Sequence, residues 1–157
     1  MRVVATLMKA PASQSFAFTM SGYLSSLQEC LRALEESAVY QEMPPSLRFV
    51  AELILDELAS NTLKYGGLDC REIRFQLDFD GETMRVTLID DAMPFDPWGD
   101  APAPQDDSDS IEDLAIGGRG VHMLKQATDL QHYERKDGKN INIVTRSVHR
   151  PFDSVAA

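Results

Sequence analysis

The sequence predicts an α+β fold: a two-layer sandwich in which one mixed, mostly antiparallel sheet is covered on a single face by helices. Three observations carry that prediction. Helical periodicity dominates residues 23–65, a period-two alternation takes over at Ile73, and the helices stand grouped instead of alternating one-for-one with strands. With 157 residues and 43% apolar content, the chain can fill one core and is too short for a second unit of usual size, so residues 1–157 read as a single domain. No internal repeat is evident.

The first strand is read over residues 13–20, where Phe16, Phe18 and Met20 alternate with smaller or polar neighbours before Ser21-Gly22. Tyr23, Leu24, Leu27, Leu31, Leu34 and Ala38 then recur at three and four, which predicts a helix over residues 23–37. Pro44-Pro45 interrupts the chain, and Pro45 or Ser46 opens a long helix that runs to Tyr65 and the turn Gly66-Gly67. Ile73, Phe75, Leu77 and Phe79 alternate with Arg74, Gln76, Asp78 and Asp80. After Asp80-Gly81 the pattern returns through Met84, Val86 and Leu88, so the two runs form an antiparallel hairpin ending at Asp90-Asp91.

Residues 91–119 have little periodicity, four prolines and a crowd of acidic residues. A loop of that length in a compact domain reads as a lid or binding segment, with a solvated acidic linker as the plainer reading of the charge run. Gly117-Gly118-Arg119-Gly120 leads into a short helix from Val121. Leu130 to Arg135 forms a strand, Asp137-Gly138 turns it, and Ile141, Ile143 and Thr145 supply the last strand. The tail from Pro151 reads as frayed.

A formal charge of −10 and a pI near 4.6 argue against non-specific nucleic-acid or anionic-membrane binding, since both need clustered Lys and Arg. The opening apolar run is too short for a signal peptide. No segment approaches the roughly 20 apolar residues of a membrane span, so the cytoplasm is the expected location. Cys30 and Cys70 have neither zinc-ligand spacing nor a disulfide framework and read as reduced and structural.

On the long helix, Leu47, Val50, Leu53, Ile54, Leu58 and Tyr65 gather on one face at about 100° per residue, and Glu57 and Asn61 fall inside that stripe. Burying an unpaired carboxylate or amide costs several kcal/mol, so both need partners, and a spacing of four aims them at one place. From this helix alone, a satisfied buried pair and a ligand site fit equally. Glu52 and Asp56 lie on the opposite side and read as a solvated face. Asp90 at a strand end and glycines before the Val121 helix are two further polar stations, each weak alone. A P-loop is excluded because no Gly-Lys-Ser/Thr follows a glycine loop. A dinucleotide fingerprint is excluded because the glycines follow a long loop, not a strand. No catalytic triad or metal-binding cluster is legible among His122, His132 and His149, and His122 reads as a packing residue.

The order of the three stations is specific. Glu57-Leu58-Ala59-Ser60-Asn61, then Asp90-Asp91-Ala92-Met93-Pro94-Phe95-Asp96-Pro97, then Gly117-Gly118-Arg119-Gly120-Val121-His122-Met123 resembles the N box and two glycine boxes of the GHKL ATPase superfamily, which includes gyrase and the histidine kinases. The nearest resemblance is to the anti-sigma-factor serine/threonine kinases of bacterial partner-switching systems. It covers residues 13–147 and extends to the Asp137-Gly138-Lys139-Asn140 turn.

The resemblance implies a sandwich of the GHKL (Bergerat) type, with residues 91–119 as an ATP lid. It implies Glu57 as general base, Asn61 as an oxygen ligand to Mg²⁺, and Asp90 as acceptor for the adenine amino group. Ala92 would border the base, and Gly117, Gly118, Gly120 and Val121 would cradle the phosphates at a helix N-terminus. Lys64 or Arg119 could add charge there. One position departs from the pattern: Ala92 stands where the family has glycine, adding a methyl beside the expected base and restricting positive φ.

The implied function is ATP-dependent phosphorylation of a small antagonist protein, with sequestration of a sigma factor and a homodimer left open. The alternative is a nucleotide-gated binding module without kinase activity. The ATPase half of a histidine kinase is disfavoured because no upstream phosphoacceptor helix is read.

Overall fold

A computed structural model describes residues 14–65, 72–99 and 119–151. Its elements run β1 (Gln14–Met20), α1 (Leu24–Glu36), α2 (Ala38–Glu42), α3 (Pro45–Tyr65), β2 (Ile73–Phe79), β3 (Thr83–Asp90), α4 (Arg119–Ala127), β4 (Leu130–Lys136) and β5 (Lys139–Ser147). The five strands form one sheet in the order β1-β2-β3-β5-β4. Every pairing among them is antiparallel, so the expected mixed component is not found among the described strands. Ser13, the Gly66-Gly67 turn, Cys70, residues 100–118 of the expected lid with Gly117 and Gly118, and the tail beyond Pro151 lie outside the described residues.

The helical layer differs from the sequence reading at one join. Ser37 breaks the first helix, and its hydroxyl accepts from the Tyr40 N–H, starting the short helix α2. Val39 and Met43, four apart, drop into the core from it. Pro45 occupies the first turn of α3, where a missing N–H is harmless. Arg48 reaches back from α3 to donate to the carbonyls of Tyr40 (2.9 Å) and Gln41 (2.7 Å), closing the α2 C-terminus. Glu52 is not simply solvated, because Tyr40 donates its phenol to Glu52 Oε1 at 2.8 Å.

The inward face of the sheet supplies Met20 from β1, Ile73, Phe75, Leu77 and Phe79 from β2, and Met84, Val86 and Leu88 from β3. They pack under Leu47, Val50, Ala51, Ile54, Leu55, Leu58 and Ala59 of α3. The β2–β3 turn places Gly81 at φ 95°, and Asp80 Oδ1 accepts from the N–H groups of Glu82 and Thr83. The β4–β5 turn puts Asp137 at φ 52° and Gly138 at φ 75°, as a two-residue hairpin requires.

In β5 the side facing the helices is the opposite of the one its sequence suggests. Asn140, Asn142, Val144 and Arg146 are buried, whereas Ile141 and Ile143 lie on the uncovered face. Register decides this: Asn140, Asn142 and Val144 stand opposite Asp90, Leu88 and Val86, all inward on β3. Arg146 and Arg150 close the far end of α4, donating to the carbonyls of Ala127 and Gln126 respectively.

Phe75 is fully buried at the centre of this sandwich and meets Phe16 edge-on, with 6.2 Å between ring centroids. Phe75→Ala is therefore expected to cost about 3–5 kcal/mol in urea unfolding. Ile143→Ala, on the uncovered face, should cost markedly less in the same measurement.

Candidate functional site

The site forms where the C-terminal part of α3, the end of β3 and the start of β5 converge. Leu58, Asn61 and Thr62 from α3, Asp90 from β3, Ala92, Met93, Phe95 and Pro97 from the segment that follows, and Asn140 and Asn142 from β5 line one pocket. It encloses about 260 Å³ of empty space out to its mouth, of which about 10 Å³ can hold the centre of a water molecule. As it stands it accommodates about one water.

Asp90 is the hub of the pocket and is 3% exposed. Its Oδ1 accepts from Asn140 Nδ2 (2.8 Å) and from the Ala92 N–H (3.0 Å), and its Oδ2 accepts from the Thr62 hydroxyl (3.2 Å). Burial pushes the Asp90 carboxyl above its ordinary range. The donors of Asn140, Ala92 and Thr62 pull the other way, and the charge of Asp91 adds to the rise.

Asn140 is a brace. Besides Asp90, its amide nitrogen donates to the Met93 carbonyl at 2.9 Å. Its Oδ1 accepts from the Tyr133 phenol (2.6 Å), from Arg135 (3.1 Å) and from the Phe95 N–H (3.4 Å). Arg135 also donates to the Ala92 carbonyl at 2.7 Å. The β4–β5 hairpin thus holds the segment after β3 in place, and Tyr65 stacks on Phe95 with centroids 4.8 Å apart.

Ala92 fits without strain. It is buried, and Asp137 is the one non-glycine residue at positive φ among those described, so no left-handed conformation is asked of the alanine.

Glu57 lies one turn before Asn61, at the edge of the buried stripe instead of inside it, and is half-buried. Its carboxylate faces the first turn of α4. A β-carbon at Gly120 would fall 1.7 Å from Glu57 Oε2, so a larger residue there would push the Glu57 carboxylate aside. Burial raises the Glu57 carboxyl, Asp56 adds to the rise, and Lys64 opposes it. Val121 is buried beside Gly120 in the same turn. His122 is exposed and pairs with Gln126.

The sequence-predicted residues Asn61, Asp90 and Ala92 thus share one pocket, and Glu57 and Gly120 meet one helical turn away. Sequence reasoning missed Thr62, Tyr133, Arg135, Asn140 and Asn142. Thr62 had a signal, since it adjoins Asn61 on the buried side of α3. Asn140 and Asn142 had a misleading one, because polar residues alternating with Ile141 and Ile143 read as a solvent face.

Among the described residues no cluster of three or more His, Cys, Asp or Glu could hold a metal ion, and no helix is long and apolar enough to cross a membrane. The family model for the histidine kinase-like ATPase domain matches residues 21–146. A search of curated proteins finds no match.

The folded state holds the Asp90 proton more tightly than the unfolded chain does. That contribution to stability is therefore complete at low pH and is lost as pH rises through the folded carboxyl's raised value. Asp90→Asn is expected to melt above wild type at pH 7, with the difference shrinking as pH falls and levelling off below the ordinary aspartate value of about 3.9, where the carboxyl becomes protonated in both states. Thermal melts across pH check the sign. Gly120→Ala should force the Glu57 carboxylate aside, and the change should be more favourable to stability in a Glu57→Ala background, where only the helix-propensity gain of alanine remains. A double-mutant cycle that is additive within about 0.5 kcal/mol would rule the contact out.

Proposed function

The chain belongs to the histidine kinase-like ATPase domain family, and from that premise we propose that it is an ATP-binding, anti-sigma-type serine/threonine kinase that phosphorylates a small antagonist protein. The observation that carries this reading is a buried carboxylate, Asp90, in a pocket shared with Asn61, while one turn away Glu57 faces the N-terminal turn of a second helix. Asp90 is an acceptor suited to the amino group of adenine. The first turn of α4 offers backbone N–H groups and a helix dipole to the phosphates.

The donor set around Asn61 fits Mg²⁺. Its amide is a hard oxygen ligand on a buried helix face. Asn61 would be one oxygen ligand of an ion whose remaining ligands would come from phosphates and water. When bound, the ion would neutralise charge on the phosphates. Glu57 would accept the proton of the attacking serine or threonine hydroxyl. That oxygen bonds to the γ-phosphorus as the bond to the β-bridging oxygen breaks and ADP leaves. A carboxyl raised by burial is a better proton acceptor than an ordinary surface carboxylate.

In this reading phosphorylation of the antagonist sets which partner is held, a sigma factor being the other candidate, with a homodimer left open. The methyl of Ala92, buried where the resembled family has glycine, favours a second reading, a nucleotide-gated binding module that regulates its partner without chemistry. Incubation with labelled ATP, Mg²⁺ and the antagonist tests the kinase: wild type should label the antagonist, and Glu57→Ala should reduce transfer by about 10²-fold or more. Equal transfer by both proteins overturns the assignment of Glu57. Tight binding of an ATP analogue in calorimetry with no transfer selects the module.

A further inference from the structure

Two asparagines stand two residues apart on the inward side of β5 and line the same pocket, yet their surroundings differ. Asn140 spends both halves of its amide on Asp90, Met93, Phe95, Tyr133 and Arg135. Asn142 is 4% exposed, and its Oδ1 finds no hydrogen-bond partner among the described residues. A buried carbonyl oxygen without a partner is destabilising and uncommon, and one that lines a ligand pocket asks for a donor from the ligand.

Register fixes where that donor must come from. Asn140 stands opposite Asp90, so Asn142 is the diagonal neighbour of Asp90 on the same face, with β-carbons roughly 7 Å apart. Asp90 Oδ2 holds a single donor, from Thr62, and has acceptor capacity left. Two acceptors on the same sheet face, lining one pocket, suit one group carrying two N–H bonds. The exocyclic amino group of a 6-aminopurine is such a group. A 6-oxopurine would set its own acceptor oxygen against both, leaving two buried acceptors unpaired.

We propose that Asn142 is a specificity-determining residue that, together with Asp90, reads the amino group of the base and excludes 6-oxopurines. This rests on the nucleotide-binding reading above. The competing explanation is a structural water bridging Asn142 Oδ1 and Asn61 Nδ2, which is also unpartnered and lines the same pocket.

The test is calorimetry of the full chain with Mg²⁺ and the non-hydrolysable analogues of ATP and GTP, on wild type, Asn142→Leu and Asn142→Ser, with thermal melts alongside. Wild type should prefer the adenine analogue. Both variants should lose about tenfold or more for adenine, and the adenine-to-guanine ratio should fall by the same factor. Asn142→Leu should melt no lower than wild type, because it removes an unpartnered amide, a result that a purely structural asparagine would not give.

An unchanged ratio in the variants, or equal loss of both nucleotides with a lowered melting temperature, overturns the role of Asn142 and favours the water bridge. If wild type binds neither analogue, the nucleotide-binding reading itself fails. Asn142→Ser keeps the test usable should the bulkier leucine disturb folding.

Discussion

A carboxylate buried at the end of a strand has to be met by donors, and the supply of donors to Asp90 explains much of the surrounding architecture. One comes from the helix layer through Thr62, one from the chain's own continuation at Ala92, and one from the neighbouring strand through Asn140. Each donor belongs to a different piece of the fold, so the buried charge ties α3, β3 and β5 together at one point. An unpaired carboxylate there would cost several kcal/mol, comparable with a large part of a domain's net stability. The same group that is expensive to bury is the one best able to recognise a ligand's donor.

Much of the fold was legible because its signals are local. The alternation Ile73 to Phe79 and its return through Leu88 gave the central hairpin, and both tight turns have the positive φ that their Asp-Gly pairs suggest. The helix carrying Glu57 and Asn61 was legible for the same reason. α2 was not, because five residues leave no room for a period to declare itself. Its one cue was Ser37 acting as a cap before Val39 and Met43.

The site was legible only where its residues lie on strongly patterned elements. Asp90 and Asn61 stand out because they are polar where apolar residues are expected. Asn140 and Asn142 were hidden because a strand's alternation gives its two sides without saying which one faces inward. That sense is set by pairing with β3, a long-range fact absent from the β5 segment itself. The consequence is that β5 turns its isoleucines outward and spends its inward positions on the pocket. Stability is surrendered locally where two amides, in Asn61 and Asn142, keep an atom unpaired, and offset by the apolar core around Phe75.

The turn that follows Phe95 carries the chain's single tryptophan. Trp98 packs against the core, and Lys125 of α4 donates to its backbone carbonyl at 2.8 Å, so this residue links the segment that supplies pocket residues to the helix that carries Gly120. Indole emission is sensitive to the polarity around the ring, and no other tryptophan contributes a background. The protein therefore contains its own optical reporter at the seam between the pocket segment and α4, and rearrangement there can be followed in real time without attaching a dye.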